Sequence, residues 1–142
     1  MTAQTPTVLK SYFETGDRPT ASQYGDFIDT ACGYKSYVAL LTQSGTAAPT
    51  AIVLQNTLGS VSWIRTDFGQ YGAVLVDGFT LNKTFLLTQG NPLPGTNDYT
   101  IVNVYRQTDS QVTVITSSVD GGSVSLSDDI ISNYSLEIRV YP

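Results

Sequence analysis

The sequence predicts a mainly β protein: an antiparallel, jelly-roll-like β-sandwich of about eight strands preceded by two short N-terminal helices. Three observations predict it. Helical periodicity is confined to residues 1–33, whereas from Tyr34 onward short segments alternate or run apolar between Gly, Pro, Asn and Asp punctuation. Charged residues make up only 13% of the chain, while Tyr, Thr, Ser and Gly are plentiful, which suits strands with polar outer faces and turn-rich connections.

The first helix is expected to be capped by Thr7, with Val8, Leu9, Tyr12 and Phe13 at three- and four-residue spacing and Gly16 placed to end it. "GDRP" then turns the chain. Thr20 followed by Gln23 forms a capping-box pattern, and Tyr24, Phe27, Ile28 and Ala31 make a second apolar stripe that ends near Gly33. Helices shorter than about 12 residues are marginal alone in water, and Gly25 costs roughly 0.5–1 kcal/mol relative to Ala. They must dock on something, whether the strand domain, a neighbouring subunit or a larger assembly.

The expected strands are Tyr34–Thr42, Thr50–Asn56, Ser60–Thr66, Gln70–Val76, Thr84–Gln89, Tyr99–Gln107, Gln111–Ser117 and Ser135–Tyr141. The sixth and seventh should pair through "QTDS", a short loop consistent with a type I turn. In the last strand Leu136, Ile138 and Val140 should face one side and Glu137, Arg139 and Tyr141 the other. "AVLV" (Ala73–Val76) and "FLL" (Phe85–Leu87) are apolar on both faces, so a second layer should cover them. This divides the chain into a helical docking segment, 1–33, and a β-sandwich domain, 34–142. A propeller would need an internal repeat, and none is present.

Composition removes several function classes. Seven Lys and Arg against twelve Asp and Glu give a net charge of −5, and the cations are scattered, so the basic stripe needed for nucleic acid is missing. There is no His, which removes His-based triads, His-ligated metals and the usual pH switch. The single Cys32 reads as a small buried residue. The N-terminus lacks a basic, then apolar, leader, and no run reaches the ~18 residues of a membrane span, so synthesis in a cytosol without an export signal is expected. The "NKT" and "NYS" triplets at Asn82 and Asn133 then read as chance.

Chemistry-bearing constellations are equally sparse. The only Glu residues are Glu14 and Glu137, and Asp17, Asp67, Asp77, Asp98, Asp109 and Asp120 sit beside turn residues, so no facing carboxylate pair and no enzyme is expected. Asp26 and Asp29 read as a solvated helix face. Oxygen ligands for calcium could come from "GTNDY" (Asn97, Asp98) or "SLSDD" (Asp128, Asp129), but neither has the spacing of a calcium loop; no metal or cofactor is assigned. Tyr71, Tyr99, Tyr105, Tyr134, Tyr141 and Trp63 form either core and cross-strand pairs or an aromatic platform for sugar rings.

The order "LKSYFETGDRPTASQYGDFIDT", then "YKSYVALLTQSGTAAPTAIVLQNTLG" and "VSWIRTDFGQYGAVL", closing on "LEIRVYP", resembles over the whole chain a group of small bacteriophage proteins, especially of phages with Bacteroidetes-type hosts. The "FETGDRPT" segment resembles the lead-in element of virion fibre or spike proteins, and the sandwich resembles the body that follows. The resemblance implies a structural part of the virion (head fibre, capsid decoration, spike or tail component), commonly a homotrimer, with other capsid or tail proteins as partners. On this reading Val8, Leu9, Tyr12, Phe13, Tyr24, Phe27 and Ile28 anchor the protein or hold its subunits together. A carbohydrate-binding or host-adhesion module, touching a host surface glycan, is the alternative expectation.

Overall fold

In the computed structural model residues 4–89 and 99–142 are described. Two helices, α1 (Pro6–Lys10) and α2 (Ala21–Cys32), precede nine strands: β1 (Lys35–Thr42), β2 (Thr50–Asn56), β3 (Ser62–Asp67), β4 (Gln70–Val74), β5 (Thr84–Thr88), β6 (Tyr99–Thr108), β7 (Gln111–Asp120), β8 (Ser123–Leu126) and β9 (Tyr134–Val140). The chain forms two compact units, Met1–Lys35 with Tyr141–Pro142, and Ser36–Val140.

The second unit is the expected two-layer antiparallel sandwich. One sheet has the order β2-β1-β9-β5; the other runs β3-β4-β7-β6, with β8 also paired to β7. β7 organises its sheet. Along one side it pairs with β6, from Gln111 opposite Thr108 to Val119 opposite Tyr99. Along the other, β4 covers Gln111–Ile115 and β8 covers Ser117–Asp120, leaving Thr116 at the joint between them. The β6–β7 turn falls at Asp109–Ser110, inside the expected "QTDS" loop.

Alternation decides which side chains meet between the sheets. Tyr37, Ala39 and Leu41 of β1 and Leu136 and Ile138 of β9 face Tyr71 and Ala73 of β4 and Val112 and Val114 of β7, with Phe79, Ile131 and Tyr134 closing the ends. Burying each large apolar side chain contributes roughly 1.5–3 kcal/mol. Trp63 of β3 packs on this cluster, and its Nε1–H donates to the Tyr37 hydroxyl of the opposite sheet at 3.1 Å. On β9, Glu137 and Arg139 form an ion pair at 2.6 Å on the face away from Leu136 and Ile138.

Four expectations are corrected. The strand β8 was not anticipated: "SVSL" is short and half serine, a weak strand signal, and its partner is an extension of β7 three residues past Ser117. Its turn uses Gly121 and Gly122, both at positive φ, as the chain reversal requires. The cap of α1 is Thr5, not Thr7, because Pro6 supplies the fixed φ of the first helical position; the helix ends at Ser11 rather than Gly16. β4 stops at Val74, where Leu75 N–H donates instead to Ser110 O and Asp77 turns the chain at φ 49°. Of "FLL", Leu86 packs on the core, but Phe85 and Leu87 remain exposed, as does Val76.

The joint between β4 and β8 is held by one carboxylate. The Asp128 side chain, 7% exposed, accepts from Arg65 Nη2 at 2.6 Å, from the Tyr71 hydroxyl at 2.6 Å and from Gly69 N–H at 2.9 Å. Thr116, at the joint, donates its N–H to Gly69 O and its hydroxyl to Ser127 O, and accepts from Ser127 N–H. Gly69 has φ +62°, and a Cβ there would lie 2.7 Å from Thr116 O and 2.8 Å from Ser127 N, so only glycine fits. The next residue extends the staple: Asp129 N–H donates to the buried Gln43 amide oxygen, and Asp129 Oδ1 accepts from Gly45 N–H.

Arg65, then Tyr71 and Gly69, hold the Asp128 carboxyl at about 2, below its ordinary 3.8, with burial opposing them. The neutral Tyr71 phenol is favoured in turn by burial and by its bond to Asp128. A carboxyl whose folded value is depressed stabilises the fold fully above its unfolded value and loses that contribution as pH falls through the folded one. Asp128→Ala is therefore expected to cost about 2–4 kcal/mol at neutral pH, since it strands the Tyr71 hydroxyl and the Gly69 N–H. Denaturant midpoints between about pH 5 and pH 2 should fall less steeply in Asp128→Asn than in the native chain. Parallel acid limbs would contradict this assignment.

Candidate docking surface

Residues 4–33 are built from local signals. Thr5 caps α1 by accepting from Val8 N–H, and Lys10 lies in its last turn, where the helix dipole favours a cation. Five residues make little more than one turn, and none of them is buried. In α2 the expected capping box is present: Thr20 Oγ1 accepts from Gln23 N–H, and the Gln23 side chain accepts from Thr20 N–H at 2.8 Å. Gly33 caps the C-terminal end, its N–H donating to Thr30 O.

Two contacts tie the helices together. Thr30 donates its hydroxyl to Asp26 O at 2.7 Å and accepts from Gln4 N–H at 2.9 Å, so a side chain of α2 holds the backbone ahead of α1. Phe13 lies edge-on to both Tyr24 and Phe27, with ring centroids 5.7 and 5.6 Å apart. Such pairs contribute roughly 0.5–1.5 kcal/mol each beyond area burial.

Of the seven expected anchor residues, Val8 and Leu9 lie on α1, Tyr12 and Phe13 in the turn after it, and Tyr24, Phe27 and Ile28 on α2. Phe13, Tyr24 and Phe27 come together. Val8, Phe13, Tyr24, Phe27 and Ile28 are between 38% and 58% exposed, while Leu9 and Tyr12 are partly buried. The ring cluster thus links the helices yet leaves much of its apolar surface in water. Sequence reasoning missed Gln4 and Thr30; a threonine inside a helix carries no sign that its hydroxyl will receive a distant N–H.

The other constellations are placed differently. Among the described residues no group of three His, Cys, Asp or Glu is arranged to hold a metal. Of the residues weighed as calcium ligands, Asp128 engages both oxygens with Arg65, Tyr71 and Gly69, and Asp129 Oδ1 accepts from Gly45 N–H; Asn97 and Asp98 lie outside the described residues. Glu137 is bound to Arg139. Of the six strand aromatics, Tyr71 and Tyr134 are core residues and Trp63 packs against the core, whereas Tyr105 and Tyr141 are exposed and the side chain of Tyr99 lies outside the described residues. Among the described residues no helix is long and apolar enough to cross a membrane.

No protein-family model matches the chain, and no curated protein or solved structure matches it.

The ring geometry generates a test. Phe13→Ala removes both ring pairs and should raise amide exchange across Ala21–Cys32 about tenfold, as expected for a loss of roughly 1–2 kcal/mol. Unchanged exchange in α2 would show that Phe13 does not hold the helix pair.

Proposed function

We propose that the protein is a structural component of a phage particle, a fibre, spike or decoration subunit. Residues 4–33 attach it to capsid or tail neighbours, and the β-sandwich is displayed on the particle. The observation that carries this reading is the exposed apolar surface of Val8, Phe13, Tyr24, Phe27 and Ile28 on two short helices. Helices of this length gain most of their stability from packing an apolar face, and within the helical unit these side chains are not buried. Exposed apolar surface gathered around Phe13, Tyr24 and Phe27 is the kind that marks an interaction site. The resemblance of the whole chain to phage virion proteins supplies the kind of neighbour, and assembly of three copies is the number it implies.

A host-glycan reading draws less support from the geometry. Tyr71 and Tyr134 are buried and the Trp63 indole is bonded to Tyr37, which removes three rings from any exposed sugar platform.

The test is incorporation. Val8→Asp with Ile28→Asp changes two exposed side chains, so the fold should be kept, while the amount of chain in purified particles should drop at least tenfold. Particles carrying undiminished amounts of the variant would sink the anchoring role. Absence of the native chain from particles would sink the virion reading itself.

A further inference from the structure

The edge strand β2 has properties that the anchoring of residues 4–33 does not use. It ends its sheet, paired with β1 on one side only. Its sequence TAIVLQN is exposed at every position but Ala51, and Ile52, Val53 and Leu54 are 49–61% exposed. Val53 lies opposite Ala39, a fully buried core residue, yet the core does not cover it. Leu54 is the extra residue of a bulge, between Val53 opposite Ala39 and Gln55 opposite Val38, and so has no partner on β1. The strand therefore presents apolar side chains together with a free backbone edge.

Natural sheets guard such edges with charge, with proline or with a covering element. Most of the other edges have these guards, and β8, uncharged like β2, is only four residues long. β3 carries Arg65 and Asp67, and β6 carries Arg106; β5 follows Lys83 and has β6 of the other sheet beside it. β2 has none of them: no charged residue occurs anywhere between Lys35 and Arg65, and Pro49, just before the strand, is buried.

Charge also selects the partner. The chain carries a net charge of −5, which drives copies apart, but its longest neutral stretch contains this edge. An edge with no charge opposes nothing like-charged when it meets itself, and a seven-residue, Pro-free, β-branched segment is well suited to antiparallel addition.

We infer that β2 is a self-association edge, pairing antiparallel with β2 of a second copy so that the two four-stranded sheets become one continuous sheet. Such a contact is isologous, with a two-fold axis through the paired strands. It is distinct from the surface of residues 4–33 and doubles whatever assembly that surface forms.

Two measurements on the full chain test this. Ile52→Lys and, separately, Leu54→Lys place a charge on the edge at positions already about 60% exposed, so the fold is retained. Mass by sedimentation or light scattering at micromolar concentration should halve in each variant, with the association weakened at least tenfold. In the native chain, amide protection of residues 50–56 should rise with protein concentration. Equal masses for the native chain and both variants, or concentration-independent exchange in β2, would overturn the proposal. A particle-incorporation defect in the Val8 and Ile28 variant has no bearing on either readout, so the two readings fail separately.

Discussion

The sandwich depends on a single constraint: one buried carboxylate must be satisfied by groups from three separate places in its sheet. Asp128 takes a guanidinium from β3, a phenol from β4 and a backbone N–H from the turn between them. Those donors exist at the right place only if β3 and β4 pair in register and if the chain after β8 returns to their end. An ion pair in the interior does not guarantee stability, because desolvation offsets much of its attraction. Its value here is specificity, since a one-residue slip of β4 would remove Tyr71 from the core and from Asp128 together.

Geometry at the same place explains why two strands share one flank of β7. β4 begins just after Gly69, and Thr116 turns its hydrogen bonds from Gly69 to Ser127, so β8 can continue along β7 without an open gap. The closeness of three backbones at this point leaves no room for a Cβ at position 69. Sheet continuity, the glycine and the carboxylate are thus parts of one arrangement.

Much of this fold could be read from the chain because its signals are local. Alternation in β9, the "QTDS" reversal and the Thr20–Gln23 box involve residues at most a few positions apart, and each lies where the pattern placed it. β8 was not legible, since its sequence is weak and its reason for existing is the extension of β7. The role of Asp128 was not legible either: "SLSDD" reads as a polar loop, and Arg65 is 63 residues away. In the helical segment the apolar stripe was visible in Tyr24, Phe27 and Ile28, but the pairing of Phe13 with α2 and the bond from Gln4 to Thr30 depend on how the intervening turn folds.

The hydrogen bond from Trp63 to Tyr37 has an optical consequence. The chain contains one tryptophan, and its indole nitrogen spans the gap between the two sheets. Indole emission shifts with the polarity around the ring, so the fluorescence of this protein reports the separation of its two layers rather than an average over many sites. A state that keeps its strands but lets water between the sheets would be visible by colour alone, in the native sequence and without a label.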